Sequence, residues 1–158
     1  MLVNNNPPAC IMLGTTLAGQ TEGAKKSLLF VCIENSSRSQ IAEGFAKRLG
    51  LEASSAGTVP STHVNPLVIE AMSEVGVDIS KNRPKQLTEK MIGNASRVVL
   101  TDATLEKSLP GSLRKRMRNK VVEWYLPDPQ GKSIEEIRYI RDEIETMVKT
   151  LSKDSVSR

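Results

Sequence analysis

A cysteine and an arginine-serine pair separated by five residues, Cys32 and Arg38-Ser39, form the arrangement that thiol-based phosphoryl transfer needs. The apolar run Leu28-Leu29-Phe30-Val31 delivers Cys32 into a short polar loop, and the loop opens into a helix at Arg38-Ser39. Only the thiolate attacks, and a free thiol with pKa near about 8.5 is mostly protonated at neutral pH, so the nucleophile needs help. A helix starting just after the loop supplies unpaired backbone N–H groups and the positive end of its dipole, which favour a thiolate and a bound oxyanion alike. Successive N–H groups along Ile33, Glu34, Asn35, Ser36, Ser37, Arg38 and Ser39 can form a nest around a tetrahedral anion. The Arg38 guanidinium offers paired donors to two of the anion's oxygens, which a lysine could not fully replace. Ser39 is placed to donate its hydroxyl to the sulfur, and Asn35 suits a loop position that needs positive φ.

A lone Cys-x5-Arg arises often by chance, and free cysteines are usually small buried hydrophobes. Context decides for chemistry here. The cysteine ends a strand-like run, polar residues follow, and Ile41, Ala42, Phe45, Ala46 and Leu49 then recur with helical spacing. A phosphoryl-transfer thiolate also needs a proton donor for the leaving oxygen. The candidate is Asp128 in Leu126-Pro127-Asp128-Pro129-Gln130-Gly131, where flanking prolines limit the wandering of the carboxyl. Asp-Pro pairs commonly mark ordinary turns, and it is the Cys32 motif that lifts Asp128 above that reading.

The elements that must position these residues alternate. Strands are predicted over 27–32, 52–56, 97–101 and 121–124, and helices over 38–49, 65–75, 87–93 and 104–118. A long final helix carries the apolar stripe Ile134, Ile137, Ile140, Ile144, Met147, Val148 and Leu151, opened by Ser133 and Glu136 as a capping box. Alternation of strand and helix predicts an α/β fold, a doubly wound four-stranded parallel sheet flanked by helices. In such sheets ligands bind beyond the carboxyl ends of the strands, the edge at which Cys32 and Asp128 would both lie.

The 158 residues make one domain. Residues 1–25 read as a disordered N-terminal extension, 26–152 as the catalytic domain and 153–158 as a C-terminal tail. The stretch from Ala9 to Gly19 is mildly apolar but lacks a basic lead and a cleavage site. Two cysteines, Cys10 and Cys32, make no disulfide framework, and a thiolate nucleophile needs a reducing compartment, so the expected location is cytoplasmic. No transmembrane run, zinc-ligand pattern or dinucleotide fingerprint is present, and neither a metal nor another cofactor is expected. His63, the only histidine, is expected at the surface or in a capping role beside Asn65-Pro66. The run Arg114-Lys115-Arg116-Met117-Arg118-Asn119-Lys120 reads first as a solvated helix face and second as a steering patch for anions. A net charge of +4 is too modest to carry a nucleic-acid reading.

The loop CIENSSRSQIAEGF, followed by SSAGT, VNPLVIEAM, GVDIS and LPDPQG, resembles the low-molecular-weight protein-tyrosine-phosphatase superfamily, which includes the thioredoxin-type arsenate reductases. The resemblance spans roughly residues 27–150. It implies a low-molecular-weight phosphatase fold and a covalent mechanism: Cys32 attacks phosphorus in line, Arg38 and the loop amides hold the equatorial oxygens, and Asp128 protonates the leaving group and then activates water. The implied substrate is a phosphorylated protein or small aryl phosphate. SRSQIAEG, SSAGT and Asn82-Arg83-Pro84-Lys85 resemble the arsenate-reductase side more closely, which makes arsenate the alternative. The thioredoxin-coupled reductases resolve the arsenylated cysteine with a second thiol shortly after the third strand. Here that region reads RVVLTDATLEKSLPGS, without cysteine, and Thr101-Asp102 resembles the acidic position of the phosphatases. Arsenate reduction would then need an external thiol reductant of thioredoxin or glutaredoxin type, unless Cys10 folds back onto Cys32. The family usually places aromatic residues after the Asp-Pro to sandwich a substrate ring; here Gln130 and Gly131 follow, with Trp124 and Tyr125 upstream.

Overall fold

The computed structural model describes residues 26–156. Four strands, β1 (Ser27–Cys32), β2 (Glu52–Gly57), β3 (Arg97–Leu100) and β4 (Val121–Glu123), pair in parallel in the order β2-β1-β3-β4. Strand β1 lies inside the sheet with both faces covered, which is why its apolar run is continuous rather than alternating. Its side chains divide between two cores. Leu28 and Phe30 point to the layer formed by α1 (Arg38–Arg48), α2 (Pro66–Glu74) and α6 (Ile134–Val156). Leu29 and Val31 point to the layer of α3 (Glu89–Asn94), α4 (Leu105–Ser108) and α5 (Gly111–Met117). This is the doubly wound architecture expected from the alternation of elements.

After β1 the chain crosses to β2 on one side of it, and after β2 it crosses back to β3 on the other. The carboxyl end of β1 is therefore the switch point of the topology, the position where such sheets leave a crevice for ligands. Cys32 is the last residue of β1 and pairs in register with Gly57, the last of β2.

One predicted helix divides. The span 104–118 forms two short helices, because Leu109 turns extended (φ −72°, ψ 141°) ahead of Pro110. Proline disfavours the helical region for its predecessor and offers no N–H to continue the ladder. The final helix behaves as its stripe predicts: Ile137, Ile140, Ile144, Val148 and Leu151 are buried, and Ile134 and Met147 pack against the same core. Its capping box forms in both directions, the Ser133 N–H donating to Glu136 Oε1 at 3.0 Å and the Glu136 N–H to Ser133 Oγ at 3.2 Å. The helix continues beyond residue 152 through Val156. Residues 1–25, including Cys10, and residues 157–158 lie outside the described residues. Among the described residues no helix is long and apolar enough to cross a membrane.

Candidate active site

The loop between β1 and α1 is shaped by where its carbonyls go. The Cys32 carbonyl accepts from the Thr58 N–H (3.2 Å), Ile33 from Val59 (2.8 Å), Glu34 from Ser61 (2.9 Å) and Ser36 from Asn65 (3.0 Å). The Asn35 carbonyl accepts from Gln40 Nε2 (3.1 Å), and that of Ser37 from the Ile41 N–H (2.9 Å). With six successive carbonyls bonded outward, the peptide N–H groups between them turn toward the concave side, the geometry of an anion nest. Asn35 makes the turn possible at φ 54°. Helix α1 then starts at Arg38 with no side-chain cap on its first turn, so its leading N–H groups remain available to an anion.

The outer wall of the loop is the segment after β2, and it can approach only because residue 57 is glycine. A Cβ there would sit 2.5 Å from the Ile33 carbonyl oxygen and 3.0 Å from both the backbone nitrogen and Cβ of Asn35. Gly57 is thus the close-approach residue of the site. The SSAGT run carried this signal as a motif, but the reason for its glycine is visible only in the packed structure.

Cys32 Sγ lies 2.9 Å from Ser39 Oγ and accepts from the Asn35 N–H at 3.1 Å. The Ser39 hydroxyl oxygen itself accepts from Asn35 Nδ2 at 2.7 Å, which leaves its proton for the sulfur. Arg38 is almost fully buried. One terminal nitrogen donates to Asp102 Oδ2 at 2.8 Å and the other to the Leu126 carbonyl at 3.1 Å. Asp102 is the second wall of this arrangement. Burial pushes its carboxyl up, but the Thr104 N–H and hydroxyl and the Arg38 guanidinium outweigh that and hold it below the ordinary value. Asp128, on the far side, places Oδ1 4.0 Å from Arg38 with its side chain 65% exposed. The Gln130 N–H steadies that carboxylate at 3.0 Å.

A pocket of about 240 Å³ joins these groups, lined by Cys32, Ile33, Glu34, Ser36, Ser37 and Arg38 from the loop and by Asp102, Asp128, Pro129 and Gln130 opposite. Ser61, His63, Asn65 and Pro66 complete its rim. Asn35 and Ser39 are fully buried beneath the loop, supporting it from behind. Among the described residues no group of three or more His, Cys, Asp or Glu side chains could hold a metal ion.

The match to known proteins runs along the same span. A model of the family described as low molecular weight phosphotyrosine protein phosphatase matches residues 27–158. The chain belongs to that family. An arsenate reductase of Staphylococcus aureus (strain Newman) is 40% identical over 131 residues, covering 78% of this chain and 94% of the relative. A solved arsenate reductase in its phosphate-binding state is 34% identical at a TM-score of 0.69, covering 80% of this chain and 95% of that one. A YwlE arginine phosphatase mutant with a phosphorylated active-site serine is 27% identical at a TM-score of 0.72, covering 81% and 94%.

In this member of the family, Trp124 and Tyr125 stand away from the pocket. Trp124 is buried against Phe30, ring centroids 5.8 Å apart, and Tyr125 is exposed with its hydroxyl on Glu123. Neither lines the pocket, whose walls mix polar side chains with Ile33, Pro66 and Pro129. His63, expected at the surface or in a capping role, is exposed on the pocket rim with Nδ1 3.0 Å from Thr62 Oγ1. The cap of α2 is Asn65, whose Oδ1 accepts from the Leu67 N–H at 2.9 Å, with Pro66 at the first helical position. The basic run divides by role. Met117 is buried, Arg116 pairs with Glu89, and Lys120 donates to the Ile92 and Ala95 carbonyls at the end of α3. Arg114, Lys115 and Arg118 face solvent.

Proposed function

We propose that this phosphatase-family chain hydrolyses phosphomonoesters through a cysteinyl-phosphate on Cys32. The single observation that carries the reading is the convergence of Cys32, the inward-facing loop amides, Arg38 and Asp128 on one pocket. The substrate's phosphoryl group sits in the nest with two oxygens on Arg38. The Cys32 thiolate attacks phosphorus in line, the ester oxygen departs, and Asp128 delivers the proton that the oxygen needs. Asp128, left ionised, takes a proton from water, whose oxygen attacks phosphorus and expels the sulfur. Ser39 steadies that sulfur as thiolate when it leaves. With no Phe, Tyr or Trp among the lining residues, the pocket suits small aryl phosphates or phosphorylated side chains presented at the rim rather than a ring clamped between aromatic faces. A thiolate nucleophile also supports a cytoplasmic setting.

A second reading is arsenate reduction, favoured by the 40% identity to an arsenate reductase. Arsenate is a phosphate-shaped oxyanion and would occupy the same nest. Cys32 would form a thiol-arsenate adduct with loss of water. The segment from Arg97 to Ser112 contains no cysteine, so the resolving thiol would come from outside. That thiol would attack the Cys32 sulfur, releasing arsenite and leaving a mixed disulfide. A second thiol of the partner, thioredoxin or glutaredoxin in type, would then return Cys32 to its reduced form.

The test is a side-by-side assay on the full chain. Hydrolysis of para-nitrophenyl phosphate without added metal, lost in Cys32→Ser, supports the first reading. Arsenate-dependent consumption of a thiol reductant in the absence of that hydrolysis would replace it with the second. Running Cys10→Ser alongside shows whether the N-terminal thiol contributes.

A further inference from the structure

Gln40 is fully buried on the first turn of α1, yet it neither lines the pocket nor reaches the sulfur. Its amide instead joins the back of the loop to the segment 82–85. Gln40 Nε2 donates to the Asn35 carbonyl at 3.1 Å and to Asn35 Oδ1 at 3.2 Å, with the Arg83 carbonyl at 3.5 Å. Its Oε1 accepts from Asn82 Nδ2 at 3.0 Å.

The donors in this set have only one consistent direction. The Lys85 N–H can only donate, and it meets Asn35 Oδ1 at 2.9 Å, so Asn35 must turn its NH₂ toward Ser39. Gln40 presents its own NH₂ to two Asn35 oxygens, so its oxygen must face Asn82. The chain therefore runs donor to acceptor from Asn82 to Gln40, to Asn35, to Ser39 and on to Cys32 Sγ. Bonds aligned head to tail polarise one another, and burial raises the cost of breaking any one of them.

We propose that Gln40 and Asn82 are positioning residues for the nucleophile: together with the Lys85 N–H they hold the Asn35 amide in the orientation that aims the Ser39 hydroxyl at Cys32 Sγ, so the segment 82–85 sets the reactivity of the thiol. The inference rests on Cys32 being the nucleophile of the proposed function. It adds that part of the machinery lies on a separate segment, more than forty residues along the chain from the loop it serves.

The test measures alkylation of Cys32 by iodoacetamide at fixed pH 7, read peptide by peptide by mass spectrometry, with Cys10 as internal control. Asn82 is half-buried at the outer end of the chain of bonds, so Asn82→Ala is expected to keep the wild-type melting temperature. Cys32 alkylation in that variant should slow about threefold to tenfold, the worth of one net hydrogen bond, with Cys10 unchanged. Gln40→Met should slow it at least as much, and the double variant no more than Gln40→Met alone, because both act through one chain. A merely structural role would lower the melting temperature and leave the rate of the folded protein alone. Wild-type alkylation in Asn82→Ala, or multiplicative effects in the double variant, would overturn the proposal. Alkylation reports on the thiol whether the pocket hydrolyses phosphate or reduces arsenate, so failure here and failure of the proposed function are separate results.

Discussion

Arg38 reaches the pocket with two of its nitrogens already engaged, by Asp102 and by the Leu126 carbonyl, so its fork is oriented before any substrate arrives. Preorganisation of this kind is where an electrostatic site gains most, because no reorientation is required as charge develops. Arg38→Lys should therefore keep the fold but lower kcat/KM on para-nitrophenyl phosphate by about a hundredfold, since an ammonium cannot make the paired contacts. Asp128 is exposed and held through the Gln130 N–H, so Asp128→Asn should leave the melting temperature unchanged. The same variant should lower kcat by about a hundredfold or more, read by steady-state kinetics. At this scale the sequence was most informative where chemistry is local. Cys32, Asn35, Arg38 and Ser39 stand within one loop, and their spacing already dictates a nest and a hydroxyl-sulfur contact. Asp102, Gly57, Gln40 and Asn82 act on that loop from distant segments. All four stand in runs that resemble the family's, but what each does to the loop is visible only in the packed structure.

Strand β2 and the segment after it act as a template for the loop after β1, with Thr58, Val59, Ser61 and Asn65 donating to its carbonyls. Gly57 is the residue on which that template depends. Gly57→Ala forces either the Ile33 carbonyl or the strand end to move, at a cost of about 1–3 kcal/mol by denaturant unfolding. Because the displaced carbonyl belongs to the nest, the same variant should weaken inhibition by inorganic phosphate. An alanine without either effect would show that the loop is held some other way. The strand-helix alternation is legible because β1 and β3 are short apolar runs and α6 has a clean stripe. The break at Pro110 is masked in the sequence because the charged periodicity on either side continues across it. His63 is exposed, as a surface role requires, while the cap beside it is Asn65, the residue whose side chain reaches the Leu67 N–H.

Across the whole molecule, the Arg38–Asp102 pair ties the loop after β1 to the carboxyl end of β3 and so couples the site to the stability of the sheet. The Asp102 carboxyl is held below its ordinary value of 3.8, so the folded state binds this proton less readily than the unfolded chain. Its stabilising contribution is therefore complete above that value and is lost as pH falls through the lower folded value. Urea melts of wild type and Asp102→Asn should thus differ at pH 7 and converge in strong acid; a gap that stays constant with pH would show that the charge is not the source. The proposed nest would accept any phosphate-shaped oxyanion, and the cysteine-free segment after β3 weighs toward hydrolysis rather than a self-contained redox relay. The central claim is that Cys32 becomes covalently phosphorylated during turnover. Rapid acid quench of the enzyme with para-nitrophenyl phosphate, followed by peptide mass spectrometry, tests it directly. The account predicts a phosphoryl group on the peptide carrying Cys32, accumulating in Asp128→Asn and absent in Cys32→Ser. Turnover with no such adduct, or turnover that survives Cys32→Ser, would contradict it.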